Sequence, residues 1–145
     1  MEVLLVADED QRNRDRIAGV FDETEYQVVA RDSVDAVMRD VLRKDAEVVI
    51  LGSVFDSIPA GELIPILKSC NPNLTIILIT KEVPLPLMRK LRREGIFYHA
   101  LMPVETDDRD ELLQAVQCAF KRVVHLPPGR VRCQFPKVGN PLGKH

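Results

Sequence analysis

The sequence predicts an α/β domain in which helices cover both faces of a parallel β-sheet. Five short apolar runs recur along the chain, alternating with segments whose apolar residues fall three and four apart. The runs are apolar at successive positions, as strands buried on both faces must be. Several end abruptly in acidic, glycine or hydroxyl residues, and in an open parallel sheet those C-terminal strand ends form the rim where ligands bind.

The first strand is Val3 to Ala7 (VLLVA), ended by Asp8, Glu9 and Asp10. The helix after it places Ile17, Val20 and Phe21 on one stripe. Tyr26 to Ala30 is the second strand. Asp32 or Ser33 caps the next helix, whose buried side is read as Val34, Val37, Met38, Val41 and Leu42. Val48 to Leu51 is strand three. Ile58, Pro59, Ala60 and Gly61 lead into a helix using Leu63, Ile66, Leu67 and Cys70, with Pro65 confined to its first turns. Leu74 to Ile79 (LTIILI), rich in β-branched residues, is strand four and is closed by Thr80. Pro84 and Pro86 delay the fourth helix to about Leu87; Leu91 continues its buried side and Gly95 ends it as a C-cap. Ile96 to Leu101 is strand five. The last helix runs from about Asp107 to Val123, with Leu112, Val116, Ala119, Phe120 and Val123 as its stripe and Asp107, Asp108, Asp110 and Glu111 near its positive end.

At 145 residues, 46% of them apolar, the chain suits one domain with one core, assigned to residues 1–123. No window approaches the roughly 20 apolar residues of a membrane helix, and the N-terminus lacks the order of a secretory signal, so a cytoplasmic location is expected. Cys70, Cys118 and Cys133 are widely spaced and read as reduced thiols. Residues 124–145 hold four basic residues (Arg130, Arg132, Lys137 and Lys144) and no acidic one, which leaves the rest of the chain at a net charge of −6. An acidic body gives no reason to expect that it binds nucleic acid.

The rim residues are Asp8, Glu9 and Asp10 after strand one, Gly52 and Ser53 after strand three, Thr80 and Lys81 after strand four, and Met102 and Pro103 after strand five. Clustered carboxylates are hard oxygen ligands suited to Mg²⁺. They also suit a solvated strand end beside a helix N-terminus. No glycine-rich phosphate loop follows strand one, and neither His99 nor His125 has a visible serine or cysteine partner, so no enzyme is expected.

Four stretches in order, LLVADEDQ, VVILGSVFDSIPAG, TIILIT and GIFYHALMPV, make residues 2–123 resemble the response-regulator receiver domain. The resemblance implies a flavodoxin-like three-layer sandwich with a five-stranded parallel sheet in order 2-1-3-4-5 and five helices. It also implies a histidine kinase as phosphodonor, an aspartate acceptor ending strand three, Mg²⁺ on an acidic pair, and a hydroxyl and a lysine that read the phosphorylated state. By position the acidic pair is Asp8 and Glu9, and the hydroxyl is Thr80.

The acceptor position is Gly52 and the lysine position is Met102, so the resemblance is to a degenerate receiver. Glycine cannot form an acyl phosphate, and methionine offers no cation to a phosphoryl oxygen. Any Mg²⁺ site on Asp8 and Glu9 is expected to be weak, Met102 to fill space, and Thr80 to satisfy a nearby backbone group. Asp56 is the one nearby substitute acceptor; four extended residues reach beyond about 10 Å, so only a tightly folded loop would return its carboxylate to the acidic pair. Ser53 and Ser57 have no evident base and read as turn or capping residues.

The expected function is a receiver-like regulatory module that acts through protein contacts without aspartyl phosphorylation. The alternatives are a phosphoacceptor using Asp56 and a DNA-associated regulator acting through the basic tail. By resemblance, the face of the fourth helix, fifth strand and fifth helix would contact a protein partner or a second copy through Arg89, Lys90, Arg92, Arg93, Phe97 and Tyr98. In the tail Val131, Cys133 and Phe135 alternate with polar residues, the period of a short strand that adds to a sheet edge or, alternatively, part of a flexible linker.

Overall fold

The computed structural model describes residues 2–81, 93 and 95–125. Five parallel strands form the sheet: β1 (Val3–Ala7), β2 (Gln27–Arg31), β3 (Val48–Gly52), β6 (Thr75–Thr80) and β7 (Tyr98–Leu101). Their order is β2-β1-β3-β6-β7, the expected 2-1-3-4-5 arrangement. Strands β4 (Val54–Phe55) and β5 (Ile58–Pro59) pair separately as a small antiparallel hairpin. Four helices are described: α1 (Gln11–Val20), α2 (Val34–Leu42), α3 (Ala60–Cys70) and α4 (Thr106–His125). The fourth helix expected from the sequence, from about Leu87, lies outside the described residues except at its end. There Gly95 takes φ +106°, the left-handed region that a C-cap glycine tolerates without a Cβ penalty.

Strand alternation divides the core into two layers. Leu4, Val6, Val48, Ile50, Ile77, Ile79, Tyr98 and Ala100 face α1 and α4. Leu5, Ala7, Val49, Leu51, Ile76 and Leu78 face α2 and α3. Every residue of β3 and β6 is buried, which explains why both strands read as continuous apolar runs.

Caps fix where the helices begin. Asp10 accepts from the Arg12 N–H at the start of α1, and Ser33, not Asp32, accepts from the Ala36 N–H at the start of α2. Two residues assigned to buried stripes are exposed: Leu42 at 57% and Ile66 at 43%. Their neighbours Val41 and Leu67 are buried as expected, and Ile64 joins them, because each residue turns the helix by about 100° and the residue next to a buried one falls toward the edge of the stripe. Strand ends shift by one or two residues, with β2 and β6 displaced one residue C-terminally and β7 starting at Tyr98 rather than Ile96. No described helix is long and apolar enough to cross a membrane.

Candidate functional site

The C-terminal ends of β1, β3, β6 and β7 converge on one cavity of about 320 Å³, lined by Asp8, Glu9, Asp10, Asn13, Ser53, Val54, Ile79, Thr80, Lys81 and Met102. Chain order alone brings them together, since parallel strands with crossover helices carry all four ends to the same edge.

Asp8 is its buried acidic group, at 5% exposure. Its Oδ1 accepts from the Asp10 N–H at 2.9 Å and from Asn13 Nδ2 at 3.3 Å, while Arg14 donates to its backbone carbonyl at 2.7 Å. Burial raises the Asp8 pKa above the ordinary carboxylate value; the Asp10 N–H and Asn13 oppose that rise, and the charges of Asp10 and Glu9 add to it. Asn13 was not singled out from the sequence, although its place five residues after Asp8, in the first turn of α1, is the available signal.

Gly52 ends β3 directly beneath this carboxylate. A Cβ at position 52 would lie 2.5 Å from Asp8 Oδ2, closer than Cβ atoms approach, and a tight 3.1 Å from Asp8 Cγ. The Asp8 carboxylate thus takes the space that any side chain at position 52 would need. Glycine is the residue that permits this approach.

The other members of the acidic triplet do different work. Glu9 Oε1 accepts from the Ser57 N–H at 3.1 Å, and Asp10 caps α1 through the Arg12 N–H at 2.8 Å. Among the described residues no three His, Cys, Asp or Glu side chains group as metal ligands. Glu9 and Asp10 each give one carboxylate oxygen to a backbone N–H, of the hairpin and of the helix respectively, while Asp8 Oδ2 stands over Gly52, so the acidic residues at this rim are each partly engaged within the fold.

Asp56 and Ser57 form the tip of the β4–β5 hairpin, with φ of +55° and +65°. Two left-handed residues between paired strands make a type I′ turn, whose twist matches the hairpin. From this turn Asp56 Oδ2 accepts from the Val34 N–H at 3.0 Å, at the start of α2. The hairpin is therefore tied at two points, by Glu9 from the β1 side and by Asp56 to the β2 side. Ser57 is an exposed turn residue, as its sequence context suggests, and Ser53 is an exposed cavity residue.

Thr80 is buried, and its Oγ1 lies 2.6 Å from His99 Nε2. This corrects the expectation of a backbone partner for Thr80. Thr80 pairs with Leu101 across β6 and β7, so His99 lies two residues back on the same face, within diagonal reach. Burial lowers the His99 pKa, and among the described residues its Nδ1 has no hydrogen-bond partner.

Met102 is buried among Ala100, Ile79 and the residues of α4, and its N–H donates to the Thr80 carbonyl at 2.9 Å. The basic side chain lining the cavity is instead Lys81, from the end of β6. Tyr98 does not belong to an exposed partner face. Strand alternation turns it inward to α4, where its hydroxyl donates to Glu111; burial, followed by that carboxylate, pushes the tyrosine pKa upward. Phe97 is half-buried against the same layer, and Arg93 is exposed. Arg89, Lys90 and Arg92 lie outside the described residues.

No protein-family model matches the sequence, and no curated protein matches it. Solved structures do. The signal receiver domain of an HD domain-containing protein from Pseudomonas fluorescens Pf-5 is 25% identical, with 83% of this chain and 94% of that one covered at a TM-score of 0.70. A response regulator receiver domain protein from Clostridium thermocellum is 20% identical over 86% of this chain and 98% of its own, at 0.73. The beryllofluoride-activated NtrC4 receiver domain, solved as a dimer, is 17% identical over 84% and 98%, at 0.72. With its strand order and rim cavity, the chain therefore belongs, at the level of fold, with the CheY-like receiver superfamily.

Proposed function

We propose that this chain is a receiver-type signalling module that works by binding a protein partner and accepts no phosphoryl group on an aspartate. One observation carries the proposal: the Asp8 carboxylate lies where the acceptor side chain of strand three would stand. Glycine there supplies no nucleophile, and the nearest replacement, Asp56, is turned toward the α2 N-terminus. Transfer to a carboxylate depends on a near-attack geometry with the phosphodonor and metal, which this placement of Asp56 does not favour. Loss of the lysine at position 102 points the same way.

The proposed contact face comprises β7, α4 and the predicted fourth helix. In its favour are the exposed Arg93, Leu101 and Val104. The dimeric state of the NtrC4 receiver is a precedent in that protein.

The phosphoacceptor alternative draws on the similarity to receivers of response regulators, one of them solved in a beryllofluoride-activated form. It requires the hairpin to release Asp56 from Val34. Incubation with a small-molecule acyl phosphate and Mg²⁺, followed by intact mass measurement, separates the two readings. The proposal expects an unchanged mass; an acid-labile phosphate adduct absent from an Asp56→Asn variant establishes the alternative.

A further inference from the structure

We propose that the tail segment Val131 to Phe135 of this same chain adds as a sixth strand along the outer edge of β2, beside a groove between β2 and α2. The inference is independent of the signalling role proposed above.

Strand β2 is an edge strand with β1 on one side. Its Gln27 N–H donates inward to the Glu2 carbonyl at 2.9 Å. In a parallel ladder alternate residues face the same neighbour, so Val28 and Ala30 direct their N–H and C=O groups outward. Among the described residues nothing pairs with these groups. An exposed strand edge is a template for another strand.

The groove beside this edge has a volume of about 340 Å³. Val3, Leu5, Val29 and Ala46 supply apolar lining, and Asp45 supplies an exposed carboxylate; Asp40 also borders it but is engaged by Arg31 at 2.8 Å. Acidic residues Glu2 and Glu47 sit immediately before β1 and β3, and Glu25 two residues before β2, at the same end of the sheet. Arg43 and Lys44 offset part of that charge.

The tail matches this surface in charge, pattern and reach. It carries four basic residues and no acidic one. Val131, Cys133 and Phe135 alternate with Arg130, Arg132 and Gln134, the period of a strand with one apolar face. No proline falls from Val131 to Phe135, whereas Pro127, Pro128 and Pro136 bracket it, so five consecutive residues keep their N–H groups.

The chain also leaves α4 in the right place. Phe120 stacks on Tyr26 with ring centroids 4.8 Å apart, and Tyr26 immediately precedes β2. From Phe120, α4 is described as far as His125, and the next five residues can span up to about 17 Å of extended chain. That suffices to start a strand beside Gln27 and run it parallel to β2.

Amide hydrogen exchange of the full-length chain tests the inference. The Val28 and Ala30 amides should be protected at least about tenfold more in the wild type than in a Cys133→Pro variant, which removes a tail N–H and strand geometry. A Phe135→Asp variant should lose the same protection, while the Ile50 and Ile77 amides stay unchanged in both and report an intact core. The protection should not vary with protein concentration. Unprotected Val28 and Ala30 in the wild type would overturn the inference, as would protection that survives both substitutions. Protection that grows with concentration would also overturn it, by making a second copy the occupant.

Discussion

Replacing Gly52 with alanine adds one methyl group at the point where the Asp8 carboxylate rests. With that carboxylate absent, the change should stabilise a strand residue of ordinary backbone conformation by about 0.4–1 kcal/mol, because alanine lowers the entropy of the unfolded chain. In the native site the new Cβ stands 2.5 Å from Asp8 Oδ2, and Asp8 is held by the Asp10 N–H and Asn13, so the carboxylate or β3 must shift. Overpacking of this kind typically costs about 1–3 kcal/mol, which set against the entropic gain leaves a net loss of up to about 2.6 kcal/mol. Urea unfolding followed by far-ultraviolet circular dichroism measures it. An Asp8→Ala background removes the obstacle, so Gly52→Ala should there become neutral or stabilising, giving a coupling of at least about 1 kcal/mol between the two positions. Equal effects in both backgrounds, or a more stable Gly52→Ala single variant, would refute the close packing of the two residues.

Acid should weaken the fold through His99. Its pKa is lowered by burial, so the unfolded chain takes up the proton first; the stability it contributes is present above the unfolded value of 6.5 and is lost as pH falls through the lower folded one. Urea midpoints at about pH 7.5 and 5.5 should diverge more in the wild type than in His99→Gln, which has no imidazole to titrate. Tyr98→Phe removes the hydroxyl that ties β7 to α4 and withdraws a donor from the half-buried Glu111; a loss of about 1–2 kcal/mol in urea unfolding is expected, and an unchanged midpoint would contradict that role.

The fold was legible because its signals are local and repeated. β3 and β6 are buried on both faces and therefore read as unbroken apolar runs, and the segments between them carry helical periodicity. The errors came where two apolar residues are adjacent on a helix, as with Val41 and Leu42, so that spacing alone does not choose the buried one. At the site, position along the chain located Asp8, Gly52, Thr80 and Met102 on one rim, because strand ends in such a sheet are shared property of the topology.

What the sequence did not display was orientation. Nothing in DEDQ tells that Asp8 turns over Gly52 while Glu9 reaches the Ser57 N–H and Asp10 caps α1. The Asp56-Ser57 turn lacks the glycine that usually marks a type I′ hairpin, so its two left-handed residues gave no signal. Tyr98 was placed on an outer face, and only the phase of β7 against α4 turns it inward. His99 required the register of two strands distant in sequence, since its partner Thr80 is 19 residues away.

The central claim, that this receiver fold carries no working acyl-phosphate site, is tested most directly by titrating the labelled protein with beryllofluoride and Mg²⁺ while following its amide resonances. Beryllofluoride mimics a phosphoryl group on an acceptor carboxylate. With Gly52 as the acceptor position and Asp56 tied to Val34, the amides of Val34, Asp56, Ser57, Thr80 and Met102 should show no saturable shift. Saturable shifts centred on Asp56 and spreading to Thr80, abolished by Asp56→Asn, would contradict the account and restore a phosphoacceptor to this fold.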